Sequence, residues 1–443
     1  MSIQFIRKAA AVLCAVAAFA FVASSQQMPS RWYFKMKYNK RIESSWNDKG
    51  VAAATESGSG LLCAVKADGS RPDSCIFHKS RLLAGPMEAG DFLVMEFPQT
   101  NLPAGSFVEF DMTLSAEKGA PSLWQFEYLD GEDWIPGRIY RLYGSSFEKS
   151  HQYTSVLETV KLSSPAEGTL KMRMRALESE PVKCLSDNGP RLAKGIVILN
   201  WAYLGAYAQD LGTVAPKDTT KILCLGNSFT YYCSCPALLK EIAWNEGHYL
   251  DMTAAMKGGQ NFTQHCTLEI SEDAVARGGF EVAVLQDQSQ TPARLAQDKK
   301  ANVRHLGGAV NLAAKIREES PECRFIVEST WSYVNQNGDF GGFDNHKKFE
   351  KLNFKGASIM AKAIGGAKVS RIEAAFAIVR NERPDINLFA TDNKHQSLLG
   401  SYLKSCVNYL TIFGEPFGDS PADCGIDHEV AAYLRDAAER AVL

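Results

Sequence analysis

Two short stretches carry the residue types that acyl chemistry requires. Residues 222–230, ILCLGNSFT, run four apolar residues into Gly226-Asn227-Ser228, a form that presents one hydroxyl at the end of a buried strand. Residues 390–400, ATDNKHQSLLG, set Asp392 three positions before His395. A serine acts as a nucleophile when its hydroxyl is exposed, a base takes its proton and N–H donors hold the oxyanion that develops. An imidazole serves as that base when a carboxylate on its other nitrogen fixes its tautomer, and three residues of loop can bring the two together. Each stretch also has a plainer reading. Glycine and asparagine before a helix make an ordinary strand-to-helix turn, and an aspartate there is a helix cap beside a solvent-facing histidine.

Other polar residues sit where loops follow apolar runs. MKGGQNF at 256–262 offers Gly258 and Gly259, and VAVLQDQSQTP at 282–292 offers the amides of Gln286 and Gln288. His265 lies six residues beyond Gly259, and Trp331 and Tyr333 follow RFIVEST. A histidine there can line a pocket and an aromatic can stack on a sugar ring; burial in the core accounts for them equally.

The elements that must position these groups fall into two textures. From residue 26 to 211 short alternating runs such as FLVMEF, FVEFDMTL, LWQFEYL and LKMRMRAL stand between glycine, proline and acidic turns. Such a pattern predicts an all-β sandwich, jelly-roll-like and ancillary. Trp124, Trp134 and Tyr140 on it can form a glycan-binding face or pack in a core. Residues 212–220 are polar with a proline and read as a linker. From 221 to 443 strand-like runs alternate with helical ones: ILCLG, PALLKEIAWNEG, LDMTAA, VAVLQ, HLGGAVNLAAKIREES, RFIVEST and FEKLNFKGASIMAKAIG. Alternation of this kind predicts an α/β domain with a parallel sheet covered by helices on both faces, whose active groups collect at the carboxyl ends of the strands.

Composition narrows the function. In 443 residues, 48 basic side chains nearly balance 50 acidic ones and no block of like charge appears, which argues against a nucleic-acid partner. Residues 1–25 carry Arg7 and Lys8, the apolar run AAAVLCAVAAFAFVA, then Ala23 and Ser25, the order of an export signal, with a periplasmic or extracellular destination and no transmembrane anchor once it is removed. Of the 11 cysteines, Cys63 and Cys75 are the first pair to test for a disulfide. Cys233 and Cys235 lack a second pair at metal-binding spacing.

LGNSFT after the first strand of the second half resembles the first conserved block of the SGNH (GDSL-type) hydrolases, and TDNKHQS before a long helix resembles their last, in which Asp and His stand three apart. The resemblance spans residues 221–443 and implies a three-layer, flavodoxin-like hydrolase domain. It implies Ser228 as nucleophile, His395 as base, Asp392 as its orienter, and an oxyanion hole made by the N–H groups of Ser228 and Gly259. The family's Gly-x-Asn-Asp block is missing; Gln286-Asp287-Gln288-Ser289 looks closer to the Gln-Gly-Glu-Ser of the sialate O-acetylesterase-like branch. The oxyanion role of the family's asparagine passes by that likeness to Gln286, with Gln288 second and near the substrate. Asn227, His265 and Trp331 join Gln288 as substrate-binding candidates. Together with the export signal, the resemblance implies an exported esterase removing acyl, above all acetyl, groups from a carbohydrate or small ester, without metal or cofactor. The alternatives are a glycan-binding protein with an inactive hydrolase domain, or a lipase, thioesterase or acyltransferase using the same residues.

Overall fold

A computed structural model describes residues 26–33, 51–52, 60–78, 81–144, 152–183, 195–207, 219–300, 302–334, 343 and 345–443. The expected export signal and most of the expected linker lie outside these residues, as does the side chain of Cys75. The first half forms β1 (Gln26–Tyr33), β2 (Val51–Ala52), β3 (Leu61–Val65), β4 (Ser74–His78), β5 (Arg81–Gly85) and β6 (Phe92–Leu102). It continues with β7 (Phe107–Ala116), β8 (Leu123–Asp130), β9 (Asp133–Arg141), β10 (Gln152–Lys161), β11 (Ala166–Ala176) and β12 (Val197–Tyr207). The second half supplies β13 (Thr220–Gly226), β14 (Leu250–Lys257), β15 (Val282–Leu285), β16 (Arg324–Ser329) and β17 (Lys368–Arg371).

Five strands, β14-β13-β15-β16-β17, lie parallel in that order. Counted along the chain this is 2-1-3-4-5, the doubly wound order whose direction of winding reverses between the first and third strands, here β13 and β15. A crevice opens outside the carboxyl ends of strands at such a reversal. The strands read as unbroken apolar runs because both faces are covered. Ile222 and Cys224 of β13 enter one core while Leu223 and Leu225 enter another. The first core is closed by α2 (Cys235–Asn245), α8 (Ile372–Glu382), α9 (Leu398–Phe413) and α10 (His428–Val442). The second is closed by α3 (Phe262–His265), α4 (Glu269–Val275), α6 (Val303–Glu319) and α7 (His346–Ala363). Two short helices complete the second half, α1 (Ser228–Tyr231) and α5 (Thr291–Gln297).

The parallel sheet does not stop at its own edge. On β14 the antiparallel pairs Gln152↔Lys257, Tyr153↔Met256 and Thr154↔Ala255 join β10 to it, and β7, β12, β5 and β4 follow, with β1 on β12. Eleven strands from both halves therefore make one sheet, and the boundary near residues 212–220 does not divide it. A six-stranded sheet, β2-β3-β6-β11-β8-β9, shares a core with β7, β10 and β12, with Met95, Phe126 and Met172 on one side and Phe110, Val156 and Leu199 on the other. Trp124 and Tyr140 are buried in that core, and Arg173 lies 3.6 Å over the Trp134 ring, so these aromatics do not form the glycan-binding face that the sequence allowed. Among the described residues no helix is long and apolar enough to cross a membrane.

Candidate active site

Ser228 opens α1 immediately after β13, where the strand ends on Gly226 and Asn227 caps the helix by accepting from the Phe229 N–H at 3.1 Å. A side chain at 226 would collide with the Thr230 hydroxyl and stand 2.9 Å from Gln286 Oε1, so only glycine fits where the turn folds over the third loop. His395 reaches the same point from residues 390–396: its Nε2 is 2.7 Å from Ser228 Oγ, and its Nδ1 is 2.5 Å from Asp392 Oδ2. The second carboxylate oxygen of Asp392 accepts from the N–H groups of Lys394 at 3.1 Å and His395 at 2.9 Å. Burial pushes the Asp392 carboxyl up, but the hydrogen bond and charge of His395, with those N–H groups, hold it at about 2. A carboxylate fixed on Nδ1 leaves Nε2 facing the hydroxyl as proton acceptor.

Three strand ends are tied into one platform behind the serine. Asn227 spends its polar groups on neighbours: N–H to Gln286 Oε1 at 2.9 Å, and Nδ2 to the carbonyls of Gln260 at 2.9 Å and Asp287 at 3.3 Å. Gln286 Oε1 also accepts from Thr230 Oγ1 at 3.0 Å, and its Nε2 donates to the Asp287 carbonyl. Asp287 Oδ1 accepts from the N–H of Phe262 at 3.0 Å and of Gln288 at 2.7 Å. Burial pushes the Asp287 carboxyl up to about 7 against the pull of those two N–H groups.

No protein-family model matches the chain, and no curated protein does. Solved structures do. A DUF4886 family protein from Bacteroides uniformis is 21% identical over 51% of this chain and 95% of its own, with a TM-score of 0.40. A carbohydrate esterase family 2 enzyme with its carbohydrate binding domain, from Corynascus thermopiles, is 12% identical over 72% of this chain and 98% of its own, at 0.33. An acetyl xylan esterase from Geobacillus stearothermophilus is 12% identical over 44% of this chain and 93% of its own, at 0.31.

The residues singled out in the sequence divide in space. Ser228, His395 and Asp392 come together in one hydrogen-bonded line. Gly259 stands on the exposed turn after β14 with φ +73, and a Cβ there would meet nothing within 4 Å; its backbone conformation, not crowding, calls for glycine. Four assignments are corrected. Gln286 is buried with its Oε1 taken by the Asn227 N–H and the Thr230 hydroxyl and one N–H of its Nε2 spent on the Asp287 carbonyl, so it braces the serine loop from behind the turn. Asn227 is equally buried and serves as a clamp between loops. His265 lies in the interior with Nδ1 2.7 Å from Ser271 Oγ, and burial pushes its imidazole down to about 4. Trp331 is fully buried between the rings of Phe229 and Phe376, at 4.5 Å from each, and its indole N–H donates to the Lys394 carbonyl at 3.1 Å. It packs beneath the histidine loop and offers no face to a sugar.

Gln288 stays half-buried beside this platform. Its Oε1 accepts from the Gln290 N–H at 2.9 Å and the Thr291 hydroxyl at 3.3 Å, and among the described residues its Nε2 makes no hydrogen bond. Sequence reasoning missed the polar row that α9 turns toward the serine loop. Ser401 Oγ donates to the Tyr232 carbonyl at 3.1 Å, Ser405 Oγ to the Cys235 carbonyl at 3.1 Å, and Lys404 Nζ to the Phe229 carbonyl at 2.8 Å. Gln396, just before the helix, donates to the same Phe229 carbonyl at 2.9 Å. The available signal was Lys404, the one charged residue of the helical stretch SYLKSCVNYLTIF.

Proposed function

We propose that the protein is an exported serine esterase that hydrolyses ester-linked acetyl groups on a carbohydrate through an acyl-enzyme on Ser228. The observation that carries this reading is the unbroken line Asp392, His395, Ser228, with contacts of 2.5 and 2.7 Å. In the first step Ser228 Oγ attacks the ester carbonyl as its proton passes to His395 Nε2, and the imidazolium is stabilised by Asp392. Collapse of the tetrahedral intermediate breaks the ester bond and returns that proton to the leaving alcohol oxygen. Water then attacks the acyl-serine with His395 again as base, releasing the acid and restoring the hydroxyl.

The oxyanion is held in this scheme by the N–H groups of Ser228 and Gly259 and by the Gln288 amide, which takes the place that the family likeness gives to Gln286. Residues 221–443 are read as the flavodoxin-like, three-layer hydrolase unit and 26–211 as a jelly-roll-like β-sandwich joined to it. Export rests on the composition of residues 1–25, and the acetyl-carbohydrate substrate on the likeness of Gln286 to Ser289 to the sialate O-acetylesterase-like branch.

A fluorophosphonate labels only a serine activated by its neighbours, so mass spectrometry of the treated protein tests the mechanism. The expected result is one adduct on Ser228, absent from Ser228→Ala. Hydrolysis of p-nitrophenyl acetate, butyrate and longer esters beside acetylated xylan then tests the substrate. No adduct together with retention of polysaccharide on an affinity gel would replace the esterase by a glycan-binding protein, and preference for long chains would make it a lipase.

A further inference from the structure

Beneath the serine loop two opposite charges are buried where an apolar pair would pack. Lys404 of α9 and Glu328 of β16 are almost completely inaccessible, and Lys404 Nζ lies 2.6 Å from Glu328 Oε2. The other carboxylate oxygen accepts from Asn408 Nδ2 at 2.8 Å, and Asn408 Oδ1 accepts from Ser370 Oγ of β17 at 2.6 Å. Desolvating two charges costs more than an apolar pair of the same volume, so such a pair is weak support for stability as such and is better explained by what it orients. What it orients is the turn. Lys404 Nζ donates to the Phe229 carbonyl, one residue beyond the serine, at 2.8 Å and lies 3.5 Å from Thr230 Oγ1. The same helix begins three residues after His395.

We propose that the Lys404–Glu328 pair is a positioning device that fixes Ser228 against His395, by holding the Phe229 carbonyl to the helix that follows the histidine. This rests on the esterase reading of Ser228. Glu328 holds the ammonium from the sheet, Asn408 and Ser370 hold Glu328, and the ammonium holds the serine loop. Lys404 touches no substrate and acts only through the Ser228 to His395 distance. Its loss therefore lowers kcat and leaves KM in place, because ground-state binding does not depend on that distance while proton transfer does.

The test separates positioning from stability. Lys404→Met strands Glu328 and is expected to destabilise the protein; Lys404→Met with Glu328→Gln removes both charges, keeps an acceptor for the Asn408 amide and restores the melting temperature. The expected outcome is that the double variant melts like wild type yet has kcat lower by about thirtyfold at unchanged KM. Its fluorophosphonate labelling of Ser228 should slow in parallel. A double variant with wild-type melting, kcat and labelling overturns the proposal and leaves the esterase intact. A wild-type protein that takes no label overturns both. Should the double variant not fold, Asn408→Ala, which frees one oxygen of Glu328, is read in its place: a severalfold drop in kcat at constant KM supports the device, and unchanged kcat overturns it.

Discussion

The ring of Tyr232 lies flat on the imidazole of His395, with centroids 4.2 Å apart and planes within 6° of parallel. Tyr231 stacks next to Tyr232 at 5.6 Å, and Tyr153 of β10 lies 4.6 Å from Tyr231, so an aromatic column runs from the first half of the chain to the histidine. In the proposed reaction His395 takes the proton of Ser228 and would become a cation over the face of a π system, an attraction of about 0.5–2 kcal/mol. Tyr232→Phe keeps that face and should keep kcat. Tyr232→Ala should lower kcat by roughly threefold to thirtyfold. Steady-state kinetics of the two variants check this, and equal kcat values would deny the stack a part in the reaction.

Under the proposed mechanism Asp392 links activity to acid stability. Its carboxyl sits at about 2, below the ordinary 3.8, because His395 and two backbone N–H groups outweigh its burial. With the folded value below the unfolded one, the contribution is complete above about pH 5 and is lost as pH falls through about 2. Chemical denaturation of Asp392→Asn should show a deficit of about 1–2 kcal/mol near neutral pH that closes as pH falls through about 2. Its kcat should fall on the order of 10³ to 10⁴, since an asparagine no longer selects the tautomer. A deficit that stays constant down to acid pH would contradict the linkage.

The two glutamines after β15 should separate by what they disturb. Gln286→Ala deprives the Asn227 N–H and the Thr230 hydroxyl of their buried acceptor, so it should cost about 1–3 kcal/mol of stability and lower kcat as a consequence. Gln288→Ala removes only a half-buried cap from Gln290 and Thr291 and should lower the melting temperature far less than Gln286→Ala. If its amide is the oxyanion donor, kcat falls by roughly a hundredfold or more. Melting curves and kcat on p-nitrophenyl acetate read both. The reverse pattern would return the oxyanion role to Gln286.

Legibility in the sequence tracks how locally each feature is encoded. Ser228, Asp392 and His395, which the fold brings into contact, could be picked out because a loop after a strand and an Asp-x-x-His spacing are local patterns. The alternating strands and helices from ILCLG to AKAIG were legible for the same reason, each element carrying its own period. β17, α8 and α10 escaped, the first because KVSR is four residues with charge at both ends. Direction of side chains was not legible at all. An amide two residues past a strand faces the pocket or the platform depending on which neighbour accepts its hydrogen bonds, and Gln286 found Asn227 and Thr230, more than fifty residues away in the chain. Trp331 likewise met Phe229 and Phe376 through tertiary packing alone. Pairing of β10 with β14 is a contact of three residue pairs across about a hundred positions, and no pattern within either strand specifies it.

That pairing sets the last expectation, for a chain that begins at residue 219. The first half supports the serine loop directly: Thr113 Oγ1 donates to Ser234 Oγ at 3.1 Å, and Asn200 Nδ2 donates to the Tyr231 carbonyl at 2.9 Å. It also neutralises α2, where the buried Lys240 Nζ lies 2.9 Å from Asp111 Oδ1 and donates to the Glu158 carbonyl at 3.1 Å. Without these strands β14 becomes an open edge and the apolar side chains that Tyr153, Ile198 and Trp201 cover meet water. Size-exclusion chromatography should therefore find the shortened chain associated, and its Ser228 should react with a fluorophosphonate at least about tenfold more slowly, in keeping with a nucleophile displaced from its base. In the intact chain Asn200→Ala should show the same loss in smaller measure, about 1 kcal/mol for one hydrogen bond to the loop. A shortened chain that runs as a monomer and labels at the wild-type rate would make the first half the independent module that its β-strand texture suggests.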